Sequence, residues 1–383
     1  MRIGIVAAEP SGDQLAAGLM SALQARHPDV VFEGVGGQQM TAQGLNSWFP
    51  MERLSVMGLV EVLGRLPELL KMRMALMHRW QQQPPDLFIG VDAPDFNLKL
   101  ETVLKTRGVP TVHYVSPTVW AWRQKRVRKI RAAADLVLSI FPFEQAFLEK
   151  HGISCTYVGH PLAHRYPLLP DQKAAREQLG LPKGNPVLAV LPGSRSGEIH
   201  RLARPFLETA AGCARQIPGL KVVTPLATEK TAEAFRLACG QYAPDLDVML
   251  TRNNAAQVLT AADVVLVASG TATFEALLCK RPMVVGYKVN PLTYRIIMGL
   301  GMLKVEHVAM ANLLGEKPLA PEFIQTHCES EHLLPPLKEF FRNMELADRI
   351  KKHYTKVHES LIMDTDQLAA EAVLKLWKEK AQV

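Results

Sequence analysis

The residues best placed to do chemistry lie in Val264-Val-Leu-Val-Ala-Ser269-Gly270-Thr271-Ala-Thr273-Phe-Glu275. Val264 to Ala268 is an apolar, β-branched run and reads as a buried parallel strand. Small residues follow at once, and Phe274, Ala276, Leu277 and Leu278 begin a helical pattern. The stretch is therefore a strand, a tight turn and a helix start. Backbone N–H groups at a helix start carry partial positive charge and suit a phosphate. Gly270 has no side chain to block an anion's approach. Glu275, expected in the first turn, could accept two hydrogen bonds from a ribose diol. The same residues fit a plain βα loop whose glutamate complements the helix dipole, and this stretch alone leaves both readings open.

Three other strand ends carry comparable groups. Pro186–Leu191 runs into Pro192-Gly193-Ser194-Arg195-Ser-Gly-Glu198, where Gly193 allows the turn and Ser194 can cap. Arg195 can reach a phosphate as a planar donor fork. Ile3–Ala8 leads to Glu9-Pro-Ser11-Gly12-Asp13 and a helix expected from about Gln14 to Arg26, with Ser11 as a possible cap. This is not GxGxxG, so a dinucleotide fingerprint is absent. Asp86–Asp92 is a strand followed by Asp92-Ala-Pro-Asp95-Phe-Asn97. Carboxylates at the C-terminal ends of parallel strands sit where open α/β sheets bind ligands. Asp95 could instead cap a helix starting near Phe96, or do both.

The elements that must position these groups form two α/β halves joined by a Pro-rich segment, 166–184. A helical tail runs from Leu333. A chain of 383 residues, 48% of them hydrophobic, suits two domains better than one core. The five cysteines are scattered, with no CxxC pair or Cys/His cluster, which suggests a reduced, cytosolic protein without zinc. The first apolar run is too short and too soon interrupted for a signal peptide. No apolar stretch reaches membrane-spanning length. A net charge of +7 favours anionic partners.

Two surface segments stand out. Residues 53–80 place Leu59, Val62, Leu63, Leu66, Leu69 and Leu70 at helical spacing, opposed by Glu61, Arg65, Glu68 and Lys71, with Pro67 expected to break or kink the helix. This is either an amphipathic helix packed on a sheet or a surface that dips into lipid. Arg123, Lys125, Arg126, Arg128, Lys129 and Arg131 follow Trp120 and Trp122. They fit a nucleic acid, a solvated helix face or lipid headgroups, and no RNA or DNA motif accompanies them.

Taken together, several motifs resemble the lipid-A-disaccharide synthase family. They are Gly-Val-Asp92-Ala-Pro-Asp95-Phe-Asn97, His113-Tyr-Val-Ser116-Pro-Thr-Val-Trp120-Ala-Trp122-Arg-Gln-Lys-Arg, Leu191-Pro-Gly-Ser-Arg195, Ala268-Ser-Gly-Thr-Ala-Thr-Phe-Glu275, Met283-Val-Val-Gly-Tyr287 and Ala311-Asn312-Leu-Leu314. They cover nearly the whole chain in order. The departures are Pro10, where Ala or Thr is expected, and the Ser-Gly-Glu198 that follows Arg195.

The resemblance implies an α/β, GT-B fold: two Rossmann-like domains, 1–165 and 185–345, facing a cleft. Helices in 346–383 are expected to pack back on the first domain. It implies an inverting glycosyltransferase that joins UDP-2,3-diacylglucosamine to 2,3-diacylglucosamine 1-phosphate and releases UDP. The product is the β-1,6-linked disaccharide precursor of lipid A. Asp95 is the implied base and Asp92 orients its loop. Gly193, Ser194, Arg195, Ser269, Gly270, Thr271, Thr273, Glu275 and Asn312 are the implied UDP side. Ser11, Gly12, Asp92, His113 and Ser116 are the implied acceptor side. Val56, Met57, Val60, Leu63 and Leu66 would meet acyl chains or membrane.

No cofactor, metal or nucleic acid is expected, and a homodimer is allowed. The place of action would be an anionic surface, the cytoplasmic face of the inner membrane of Gram-negative bacteria. Two readings compete. A UDP-GlcNAc 2-epimerase has the same fold and would need no acyl-chain surface. A basic RNA- or membrane-binding protein on this fold would need neither Asp95 nor Glu275.

Overall fold

The computed structural model describes residues 1–54, 59–117, 119, 126–289, 307–315 and 317–381, with backbone alone for 59–64 and 381. The chain divides into two compact units, Met1–His164 with Ile362–Val383, and Arg165–Leu361. In the first unit the described strands are β1 (Arg2–Ala7), β2 (Val31–Gly36), β3 (Leu45–Pro50), β4 (Leu87–Val91), β5 (Thr111–Tyr114), β6 (Leu136–Ser139) and β7 (Cys155–Tyr157). They form one parallel sheet in the order β3-β2-β1-β4-β5-β6-β7.

Helices cover both faces of this sheet, which is why β4 reads as an unbroken apolar run instead of an alternating one. Successive side chains still go to opposite sides. Ile3, Ile5, Ile89, Val91 and Val112 pack with helix Pro10–Arg26 and the last helix, Thr365–Ala381. Val6, Val35 and Phe88 pack with Met72, Leu76 and Trp80 of helix Leu59–Gln82, and with Leu100 and Leu104.

The second unit repeats the plan. Its described strands are β8 (Val187–Leu191), β9 (Lys221–Leu226), β10 (Val248–Arg252), β11 (Val264–Ala268), β12 (Met283–Tyr287) and β13 (Glu322–Ile324). They lie parallel in the order β10-β9-β8-β11-β12-β13. In each sheet the strand order reverses once, at β1/β4 and at β8/β11. Turns leaving the two strands on either side of a reversal diverge and leave a crevice at their C-terminal ends.

Several local expectations change. The first helix begins at Pro10, not near Gln14, with Glu9 at the N-cap and Ser11 inside the first turn. Proline suits that place because the first helical N–H groups have no intrahelical partner. Pro67 lies inside a continuous helix, Leu59–Gln82. It forfeits one hydrogen bond, while Met72, Leu76 and Trp80 anchor the later turns in the core. Residues 166–184 are no free linker. Arg176 meets Asp263 at 2.7 Å and the Ala261 carbonyl at 2.8 Å, within the second unit.

The tail is shared between the units. Helix Met344–Leu361 stays with the second, where His358 Nδ1 lies 2.6 Å from Lys280 Nζ. Only helix Thr365–Ala381 joins the first, where Arg26 donates to Gln367 at 2.9 Å and to Glu371 at 2.7 Å. Ala369, Ala370 and Val373 of that helix are fully buried in the β1–β4–β5 core. Val373→Asp should therefore destabilise the first unit by more than about 3 kcal/mol, since it strands a charge in an apolar core. Thermal unfolding followed by a probe in each unit is expected to show the first transition fall while the second stays.

Candidate active site

The reversal at β8/β11 holds a cavity of about 710 Å³. Gly193, Ser194, Arg195 and Glu198 line it from the turn after β8, and Ser269, Gly270, Thr271, Ala272 and Glu275 from the turn after β11. Gly270 has φ +150°, a backbone that side chains rarely adopt, and open space where a β-carbon would sit. Helix Thr271–Leu278 begins there. Its Thr271 and Ala272 N–H groups have no partner among the described residues, as a first turn requires unless a ligand or cap supplies one. Glu275 begins the second turn, not the first, so complementing the dipole is not its main use. Tyr166 Oη donates to Glu275 Oε1 at 2.9 Å. Burial raises the pKa of Glu275 above the usual carboxylate value, and the Tyr166 bond partly opposes this.

The turn after β8 differs from expectation. Glu198 Oε2 already accepts from the N–H of Ser194 at 3.0 Å and of Arg195 at 3.3 Å. A carboxylate of the chain thus occupies the place a phosphate would take on this turn, leaving the Arg195 side chain as the turn's cationic group at the cavity.

Thr273 and Asn312 are not brought to the cavity. Thr273 is fully buried, its hydroxyl donating to the Gly270 carbonyl at 2.8 Å and accepting from Met310 N at 3.1 Å. Asn312 lies inside helix Met310–Leu314, not on a turn tip. It is 6% exposed and its amide is committed to Ala320 and Glu322. Both shape the turns behind the cavity. Asn253, Asn254 and the contact from Tyr166 went unrecognised in the sequence, and Tyr287, quoted there within a motif, was given no site role. Asn253 and Asn254 follow β10, a strand end that could have been searched like the others.

In the first unit the Asp92–Asp95 turn follows β4, at the other reversal. Asp92 and Ala93 have φ of +50° and +44° in succession. Such residues cost on the order of 1–3 kcal/mol each unless their surroundings hold them. Asp92 N donates to the Tyr114 carbonyl at 2.8 Å. Asn97 Nδ2 donates to the Asp92 carbonyl at 2.9 Å and to the carbonyls of Val91 and Val6 at 3.3 Å. Helix Pro94–Lys105 takes Ala93 as N-cap, so Asp95 stands inside the first turn and is not a cap. Its side chain is 83% exposed, and Arg126 Nη2 donates to its Oδ1 at 2.6 Å. Arg126 comes from the basic run, so this member of it does more than face solvent.

The other acceptor-side expectations fare differently. His113 is fully buried and Ser116 is 4% exposed, its hydroxyl directed at the Pro117 carbonyl, so neither presents itself to a substrate. Gly12 is buried against Ala7 and Val91, whereas Ser11 is exposed. Asp13 proves structural: its carboxylate accepts from the N–H groups of Gly37, Gln39 and Met40 at 2.8–3.1 Å.

On helix Leu59–Gln82, Leu66, Leu70 and Met74 are 40%, 38% and 58% exposed, spaced four residues apart on one face. Val56 and Met57 lie outside the described residues, as do the side chains of Val60 and Leu63. Among the described residues no helix is long and apolar enough to cross a membrane. No group of three or more His, Cys, Asp or Glu there could hold a metal ion.

Comparison with known proteins supplies the family. Residues 3–375 match the family model described as lipid-A-disaccharide synthetase. A lipid-A-disaccharide synthase from Aliivibrio fischeri is 49% identical over 376 residues, covering 98% of this chain and 97% of that protein. One from Aeromonas hydrophila is 48% identical, covering 98% of each. The fold is similar to that of a UDP-GlcNAc 2-epimerase from Neisseria meningitidis bound to UDP-GlcNAc. The TM-score is 0.61 with 11% identity, covering 99% of this chain and 100% of that one. Identity that low speaks for the fold alone, which is GT-B.

Glu275→Gln separates binding from stability. The raised folded pKa means the charged form is disfavoured on folding, so the stabilising contribution exists at low pH and is lost as pH rises through that pKa. Glutamine keeps an acceptor for Tyr166 without the charge. The variant should melt no lower than wild type near neutral pH while UDP binding, measured by calorimetry, weakens by about 1.5–3 kcal/mol.

Proposed function

This chain belongs to the lipid-A-disaccharide synthetase family, and we propose from that premise how its residues perform the transfer. The reaction condenses UDP-2,3-diacylglucosamine with 2,3-diacylglucosamine 1-phosphate. The acceptor 6-hydroxyl oxygen bonds to the anomeric carbon as the bond from that carbon to the UDP oxygen breaks, inverting the centre to a β-1,6 linkage. The proton passes to a carboxylate and the electron pair leaves with UDP.

The observation that carries the reading is the convergence, in one cavity, of Arg195, the open N–H groups of Thr271 and Ala272, and half-buried Glu275. Arg195 and the helix start meet the charge that develops on the departing diphosphate, and Glu275 takes the ribose hydroxyls. Asp95 is the base, with Oδ1 engaged by Arg126 and the rest of its carboxylate exposed. Asp92 orients the turn. Incubation with the donor, with and without the acceptor, tests this through UDP release and product mass. UDP release together with a disaccharide 1-phosphate only when both are present is expected. Turnover of UDP-GlcNAc alone would mark an epimerase instead.

The exposed Leu66–Leu70–Met74 face and exposed Arg128, Lys129 and Arg131 support peripheral attachment to an anionic membrane, the cytoplasmic face of the inner membrane. Both substrates carry acyl chains that must be drawn from such a surface. Replacing Leu66, Leu70 and Met74 by serine should reduce sedimentation with anionic vesicles with little fall in melting temperature, because a large share of each side chain is already exposed to water. High salt should weaken attachment only partly, since apolar insertion is not screened. Complete release by salt would leave the basic residues as the whole anchor.

Asp95→Asn keeps the shape and removes the basicity. Turnover should drop by a factor on the order of 10²–10⁴ with UDP affinity unchanged. If Asp95 serves only its ion pair with Arg126, Asp95→Asn and Arg126→Gln will show equal and slight losses.

A further inference from the structure

Beneath the Asp92 turn lies a polar cluster sealed from solvent. His113, in β5, and Glu101, in helix Pro94–Lys105, are each 0% exposed, with His113 Nδ1 2.6 Å from Glu101 Oε1. Gly90 of β4 stands beside His113 in the sheet register, and the Glu101 carboxylate fills the place its β-carbon would take, with Asn97 alongside. Among the described residues, three sealed atoms of this cluster have no partner: His113 Nε2, Glu101 Oε2 and Asn97 Oδ1.

As a stability element the cluster is poor. A buried polar group left without a hydrogen bond is destabilising, and apolar residues of similar volume often replace a buried ion pair without loss. Its connections run instead to the turn. Asn97 Nδ2 holds the Asp92 carbonyl at 2.9 Å, and Asp92 acts electrostatically on His113. Burial works against an imidazolium here, yet Glu101 and, secondarily, Asp92 outweigh it and raise the pKa of His113; burial raises that of Glu101 as well. Among the described residues the other ionisable group acting on the pair is Lys105, on the helix of Glu101.

We propose that His113 and Glu101 are positioning residues: with Asn97 they hold the left-handed Asp92–Ala93 turn, and so set where Asp95 presents its carboxylate. The proposal rests on the reading of Asp95 as the base. The turn brings two carboxylates three positions apart. Arg126 holds Asp95 from outside, while the backbone of Asp92 is tied to Tyr114, the strand neighbour of His113, by the 2.8 Å bond from Asp92 N. Without the buried pair beside it, the turn loses part of the packing that over-determines it, and the strained backbone relaxes toward ordinary φ.

His113→Gln and Glu101→Gln test this in the full-length enzyme. His113→Gln keeps a donor for Glu101 but cannot carry charge. Glu101→Gln is isosteric and provides the measurement should His113→Gln fail to fold. Both should lower kcat by about 10- to 100-fold, the range a small misplacement of reacting groups produces. Donor KM and UDP affinity should stay within about twofold, since the UDP side lies elsewhere. The acid limb of the kcat profile should move, and the double variant should be no worse than the poorer single one.

A purely structural pair would change melting temperature and leave the pH profile in place. Wild-type kcat and pH profile in the pair variants, with Asp95→Asn impaired, overturn the proposal alone. Wild-type turnover in Asp95→Asn overturns the base assignment and this proposal with it.

Discussion

A parallel sheet whose strand order reverses has one place where neighbouring βα turns part, and this chain builds its chemistry on that constraint twice. At β8/β11 the parting turns leave a cavity edged by a helix start. At β1/β4 they leave the Asp92–Asp95 turn. Strands covered by helices on both faces can be uniformly apolar, so polar side chains gather at their ends. Those ends coincide with the positive ends of the following helices. Such geometry suits a phosphate-bearing ligand with few specialised side chains.

Within that frame each carboxylate is defined by its partner. Asp13 ties the N–H groups at Gly37–Met40 and fixes the turn after β2. Glu198 closes the turn after β8 in the same way. Both are spent on the chain's own backbone. Glu275 shares one oxygen with a tyrosine hydroxyl and otherwise borders the cavity, in surroundings that disfavour its charge. Groups of this last kind are costly as structure and useful as chemistry, because a ligand supplies the compensation the fold withholds.

The lipid-facing reading depends on the two sides of one helix. Met72, Leu76 and Trp80 anchor helix Leu59–Gln82 to the sheet, while Leu66, Leu70 and Met74 remain partly exposed to solvent. The packed side holds the helix through Pro67, and the other side leaves three apolar side chains partly exposed, which is what the proposed membrane attachment needs. Arg126 shows that the basic run is not uniform: one of its members serves the Asp95 turn.

The sequence by itself determined the α/β class, the strand–turn–helix units at Asp92, Ser194 and Gly270, and the family, because these are local patterns. An apolar run, a small residue needing open backbone and a following amphipathic helix are written in consecutive positions. It also indicated that Arg195 and Glu275 stand at turns of one half. Only the tertiary structure decided which polar groups remain available to a ligand. Glu198 and the Ser194 N–H, Asn312 and the Ala320 backbone, and His113 and Glu101 pair through the fold, and so remove residues that look exposed in a motif. The tail was decided in the same way. Its helices are alike in the sequence, yet Met344–Leu361 stays with the second unit and Thr365–Ala381 joins the first. What separates them is which apolar surface each one buries, and that surface is assembled from residues hundreds of positions away.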